Sequence, residues 1–224
     1  MLHATEMWKE TYPEASVGCM VLRNVLNPGQ SEVSEVLESS KRELESELRT
    51  RFSSREELSR HTPIKAYSDY YKRYTKTYHV LQQLESVIFK GKGIPRVAGL
   101  VEAMFMAELK NCLLTAGHDY DALKLPLKLD VAAGEEKYIL INQKEQIVKP
   151  GDMMIADTDG IISSIIHGPD LRTRIVPGTQ KAVFIVYAPP GISHGLVINH
   201  LSDIHSYVKL VAPDAEMELQ KVYS

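Results

Sequence analysis

The sequence predicts an α+β fold, and three observations carry that prediction. Apolar residues recur at helical spacing up to about Gly117, short β-like runs separated by turn chemistry follow from Leu127, and one amphipathic segment comes after Ser193. Helices, then a mostly antiparallel sheet, then a helix is the order of an α+β domain, in which the helices gather on one side of the sheet.

The elements follow in turn. After Trp8 and a mixed stretch containing Gly18 and Cys19, Asn27-Pro28-Gly29 makes a turn and Ser31 offers a helix N-cap. Val33, Leu37, Leu44 and Leu48 then share one helical face, with Glu38 to Arg42, Glu45 to Arg49 and Glu47 to Arg51 paired at i,i+4 on the others. Ser53-Ser54 before Glu56 and Glu57 caps a second, short helix, and Thr62-Pro63 opens a tyrosine-rich one. Leu81, Leu84 and Ile88 continue helically until Gly91-Lys92-Gly93-Ile94-Pro95, which must break the helix. The run from Val97 to Ala116 is apolar on nearly every face and reads as the central buried helix, closed by Gly117. The β-like runs are Leu127 to Val131, Tyr138 to Ile141, Met153 to Ala156, Ile161 to Ile166 and Val183 to Tyr187. Asp157-Thr158-Asp159-Gly160 reads as a hairpin turn, lacking the later Glu of a calcium loop. Ser193 caps the last helix, which ends by Pro213.

At 44% hydrophobic and 25% charged over 224 residues, the chain can bury a sizeable core, which excludes disorder and a disulfide scaffold. Cys19 and Cys112 form no metal-type spacing and read as small buried hydrophobes, so no metal and no cofactor are expected. The apolar runs are too short to cross a bilayer, and the N-terminus lacks a basic and apolar leader, so a cytoplasmic protein without membrane partners is expected.

The net charge of −3 hides an asymmetry. Arg60 to Arg96 holds eight basic residues against two acidic ones, +6, which leaves −9 elsewhere. Tyr67, Tyr70, Tyr71, Tyr74 and Tyr78 lie in the same segment. Cations interleaved with flat rings suit a single-stranded nucleic acid. The competing reading is a helix whose tyrosines pack on the core while its lysines are solvated.

No generic catalytic motif is present. The Gly91-Lys92-Gly93 amides beside Lys90, Lys92 and Arg96 are either an anion-holding turn or a plain helix-to-helix connection. His167-Gly168-Pro169-Asp170-Leu171-Arg172-Thr173-Arg174 is the most polar cluster of the sheet region. A His beside an Asp can act as base or orienting pair, and an Arg can bind phosphate or carboxylate; a surface loop with local ion pairs is the alternative.

Val87-Ile-Phe-Lys-Gly-Lys-Gly-Ile-Pro-Arg-Val, Thr115-Ala-Gly-His-Asp-Tyr-Asp, Lys149-Pro-Gly-Asp, Ile155-Ala-Asp, and His167-Gly-Pro-Asp-Leu-Arg-Thr-Arg-Ile followed by Thr179 resemble, in that order, the B3/B4 domain of the phenylalanyl-tRNA synthetase β chain in its free-standing form. The resemblance implies a single domain over 1–224, with 1–70 as a helical N-terminal extension and 71–212 as a B3/B4-like core. It also implies a pocket that hydrolyses mischarged aminoacyl-tRNA, needed because an apolar pocket cannot strongly reject an analogue that adds a hydroxyl. Carried over by position, the Gly91 to Arg96 turn, Asp157, the His167 to Arg174 loop and Thr179 would border that pocket. Within it His167 and Asp170 are expected to organise the attacking water, Arg172 and Arg96 to hold phosphate, and Asp157, Arg172, Thr173 and Thr179 to contact substrate. Lys72, Arg73, Lys90, Lys92 and Arg96 would hold tRNA, with no DNA partner. The family's strand after the threonine contains a glutamate that recognises the tyrosyl hydroxyl, whereas this chain reads Thr179-Gln-Lys-Ala-Val-Phe-Ile-Val-Tyr-Ala. Tyrosine specificity is therefore not part of the expectation. The alternatives are a module that binds RNA or an amino acid without hydrolysis, and a small-molecule hydrolase that reuses the pocket.

Overall fold

A computed structural model describes residues 1–29 and 35–224. Strand β1 (Leu2–Ala4), helix α1 (Glu6–Thr11) and strand β2 (Ser16–Arg23) precede five helices: α2 (Glu35–Arg51), α3 (Arg55–Arg60), α4 (Thr62–Lys72), α5 (His79–Phe89) and α6 (Gly99–Asn111). Then come β3 (Leu114–Asp119), β4 (Leu127–Val131), β5 (Lys137–Ile139), β6 (Glu145–Ile147), β7 (Met153–Asp157), β8 (Gly160–Ser164), β9 (Gly168–Pro169) and β10 (Lys181–Ala188). Helix α7 (His194–Val208) and β11 (Glu216–Tyr223) follow. One sheet has the order β1-β4-β7-β8-β9, a second β11-β2-β10-β3, and β5 and β6 form a hairpin of their own. Among the described residues, only β1 with β4 is parallel and the other pairs are antiparallel, so the α+β expectation holds.

Local chemistry explains the expected elements. Ser54 and Ser193 accept hydrogen bonds from the Glu57 and Leu196 amides, capping α3 and α7, and Pro63 stands in the first turn of α4. Asp157 pairs with Gly160, making the expected hairpin between β7 and β8. Of the expected i,i+4 pairs on α2, Glu45 and Arg49 approach to 3.5 Å, while Glu38 turns to Lys41 and Arg96. Ser31 and Val33 lie outside the described residues.

Three expectations need correction. Residues 1–70 are not a wholly helical extension: they supply β1 to the first sheet, and β2 sits between β10 and β11 in the second. Seven of β2's eight residues are buried, so it shows none of the alternation that reveals a half-exposed strand. The apolar run from Val97 to Ala116 is a helix and a strand, not one helix: Cys112 adopts the left-handed conformation (φ 59°) after α6, and β3 starts at Leu114. Gly117 therefore lies in β3 and caps nothing. Finally, β11 follows Pro213, and its outer edge makes it a short-range signal of mixed polarity.

The core runs continuously under both sheets and the helices, from Trp8 through Tyr67, Phe184 and Ile204. Helix α4 fastens the two sheets together with its tyrosines. Tyr67 donates to the Tyr187 carbonyl in β10 and accepts from the Leu114 amide in β3 (3.0 Å). Tyr70 donates to Asp152 (2.8 Å) and accepts from the Met153 amide of β7 (2.7 Å), and Tyr71 donates to the Ile165 carbonyl (2.7 Å). Among the described residues, no helix is long and apolar enough to cross a membrane.

Candidate functional site

The β7–β8 hairpin, the β9 bridge and the loop that leads to β10 bring four of the sequence-selected residues together. Asp157, at the end of β7, receives both terminal nitrogens of Arg172, at 2.8 and 3.0 Å. It also accepts from the amides of Lys124 (2.8 Å) and Asp159 (2.9 Å). Burial alone would raise its pKa, but the Arg172 guanidinium and these amides hold it below the ordinary carboxylate range. Arg172 Nε stands 3.7 Å from Asp170, and Arg172 Nη1 also donates to the Ala122 carbonyl (3.1 Å). The arginine thus spends its fork on protein oxygens and has little left for a phosphate.

Asp170 is 4% exposed, and burial pushes its carboxyl above the usual range. Its Oδ1 accepts from the Thr173 amide (3.1 Å) and from the Thr173 hydroxyl. With its single proton given to Asp170, the Thr173 oxygen accepts from His118 Nδ1, 2.8 Å away. His118 Nε2 is then an acceptor, buried and without a partner among the described residues, and burial depresses the imidazole to about 3, so it is neutral. Thr179 joins through the next residue of β3: its hydroxyl donates to Asp119 (2.6 Å) and accepts from the Val176 amide (2.9 Å), while the Asp119 amide donates to the Thr173 carbonyl (2.8 Å). His118 and Asp119 were assigned no role from the sequence. The available signal was a polar pair ending an otherwise apolar run.

His167 does not join this group. Its amide donates to Ser164 (3.2 Å), and its ring makes no hydrogen bond with Asp170. Burial first, then the positive charges of Lys76 and Lys149, depress it to about 4. The expected His167–Asp170 pair is absent from the structure.

Above Asp170 opens a cleft of about 500 Å³, lined by Lys137, Tyr138, Asp159, Asp170, Arg172 and Arg174. Lys137 pairs with Glu145 (3.0 Å), and Arg174 bonds the Leu171 carbonyl (2.5 Å) and has no carboxylate partner among the described residues. The cleft can hold a small polar group against one free cation, beside a carboxyl whose raised pKa makes it a better proton acceptor than a surface one.

The five residues selected for tRNA divide. Lys72 lies 3.8 Å from Asp69, Arg96 bonds Glu38 (2.8 Å), and the Arg73 guanidinium stacks 4.1 Å above the Tyr70 ring. Lys90 and Lys92 are exposed and form no ion pair among the described residues. Tyr67, Tyr70, Tyr71 and Tyr78 are buried, so the packing reading of the tyrosines is the correct one and they offer no platform for bases. In and just after the Gly91 to Arg96 turn, the amide of Lys92 donates to the Ser86 carbonyl (3.1 Å), and those of Ile94 and Val97 donate to Glu45 and Glu102, both at 2.7 Å.

The sequence matches no protein-family profile and no curated protein. Among solved structures, the fold is similar to that of an N-terminal fragment of the phenylalanyl-tRNA synthetase β subunit from Pyrococcus horikoshii, with a TM-score of 0.51 and 11% identity. The fold is phenylalanyl-tRNA synthetase β-like. The likeness covers 100% of this chain, which spans only 54% of that fragment, and at this identity it concerns the fold alone.

Proposed function

We propose that this chain is a B3/B4-type editing module that receives the aminoacylated 3′ end of a tRNA in the Asp170 cleft and hydrolyses the ester. The observation that carries the reading is that Asp170, Arg172 and Arg174 line one cleft, with Asp170 held from behind by buried Thr173, in a fold like that of the synthetase β fragment. The cleft volume falls within the range that accommodates an aminoacyl group. Asp170, fixed by Thr173, orients a water toward the ester carbonyl carbon. Arg174 attracts the anionic strand, and the ribose hydroxyl leaves as the carbon–oxygen bond of the ester breaks. An activated ester needs positioning more than a strong base, so a fixed carboxylate suffices.

Deacylation of a panel of mischarged tRNAs tests this. Asp170→Asn and Arg174→Ala are each expected to lower the rate by about tenfold or more while urea midpoints show that both variants fold. Unchanged rates in both variants would remove the assignment. A second reading, binding without hydrolysis, draws support from the Asp157–Arg172–Asp170–Thr173–His118 chain, whose members mostly satisfy one another. Salt-dependent tRNA binding with no deacylation of any substrate selects it.

A further inference from the structure

A second cleft lies between α5, the turn after it and α6. It encloses about 370 Å³ and shares no lining residue with the Asp170 cleft. Three kinds of group line it. The rings of His79 and Phe105 stand beside an apolar floor of Val87 and Leu109. The side-chain amides of Gln82 and Gln83 form no hydrogen bond among the described residues, so donors and acceptors of both remain available. Lys92 brings an exposed ammonium with no ion-pair partner among the described residues, and exposed Lys90 is two positions away. No Asp or Glu lines the cleft.

His79 is set for the same task. The Tyr71 hydroxyl gives its proton to the Ile165 carbonyl and therefore accepts from His79 Nδ1 at 3.2 Å. This leaves Nε2 as a hydrogen-bond acceptor. The ring is held by edge contacts with Tyr71 and Tyr78, 6.0 and 5.8 Å between centroids. Burial depresses it to about 4, so it is neutral at physiological pH.

A flat apolar contact, two amides that can read an edge, one acceptor and a free cation, with no Asp or Glu among the lining residues, match one ligand chemistry. We infer that this cleft binds a nucleotide, its base against Phe105 and His79, its edge on Gln82 and Gln83, and its phosphate on Lys92. The base–ring contact tolerates any base, so the amides supply whatever preference exists. The source is either a free nucleoside monophosphate or an unpaired nucleotide of an RNA strand. The inference does not depend on ester hydrolysis at Asp170.

The experiment is a titration of the ¹⁵N-labelled protein with AMP, GMP, CMP and UMP, and separately with single-stranded ribotetranucleotides, followed by amide chemical shifts. Shifts centred on Gln82, Gln83, Ser86 and Lys92 are expected, with affinity falling about tenfold in Lys92→Glu and severalfold in Gln83→Ala. Tighter binding of the tetranucleotides identifies a strand as the source, and equal binding identifies the free nucleotide. Absence of binding by all of these ligands at millimolar concentration, or binding undiminished in both variants, would overturn the inference even if deacylation proceeds. Nucleotide binding without deacylase activity sustains it and removes only the editing reading.

Discussion

Gly18 leaves no space for even a methyl group: a Cβ built there would lie 2.5 Å from Val197 Cγ1 and 3.2 Å from Leu201 Cδ1. Both belong to α7, which therefore rests directly on the β2 backbone. A β-branched valine cannot swing aside, so Gly18→Ala is expected to destabilise the protein by about 1–3 kcal/mol, read as a lower urea midpoint at unchanged slope. The residue scale is also where the candidate site was half legible. Asp157, Asp170, Arg172 and Thr173 are polar residues following apolar strands within 17 positions, and proximity along the chain made their gathering readable. His118 was not readable, because its partner Thr173 lies 55 positions later and a histidine ending an apolar strand looks the same with or without one. His167 misled for the opposite reason. It is adjacent in sequence to the cluster, but its amide is tied to Ser164 and its ring makes no hydrogen bond with Asp170.

Among the elements, α4 binds most of the architecture through side-chain hydroxyls. Tyr70 satisfies the Asp152 carboxyl and the Met153 amide at once, both buried. Tyr70→Phe leaves the two without that partner, and a loss of about 1–3 kcal/mol for each group left unsatisfied is expected from urea unfolding. A variant as stable as the parent would show that the Tyr70 hydroxyl contributes nothing net to stability. The elements that sequence patterns revealed are those with punctuation: Ser54 and Ser193 as caps, Pro63 at a helix start, Asp157 to Gly160 as a turn. Strand β2 lacks such marks and is buried on both faces, so periodicity could not separate it from an irregular stretch. The break at Cys112 was hidden because a left-handed residue other than Gly, Asn or Asp is rare, and nothing in the run Asn111-Cys112-Leu113 announces one.

At the scale of the whole molecule, buried titrating groups set opposite limits on stability. His118 and His200 are depressed to about 3, and His79 and His167 to about 4, from 6.5, so the folded chain refuses protons that the unfolded chain takes up. Their contribution is complete above pH 6.5 and is lost as pH falls below it. Glu108 and Asp152 are raised by burial to about 8 and about 7 from 4.5 and 3.8, so the folded chain keeps protons that the unfolded chain releases. Their contribution is complete below about pH 4 and is lost as pH rises toward 8. Between 4.5 and 6.5 these histidines, with His61 depressed as well, outweigh these acids, with Asp170 raised as well, and above 6.5 only the acids act, so the urea midpoint is expected to peak near pH 6.5. Glu108→Gln should flatten its alkaline side. A midpoint that still climbs from pH 7 to 8 would contradict this. The placement of β2 has a kinetic consequence as well. It is made long before its neighbours: β2 ends at Arg23, whereas β10 and β11 begin at Lys181 and Glu216. A strand made of almost wholly buried residues therefore stays unpaired until those strands are made, and refolding is expected to be slow for the chain's size.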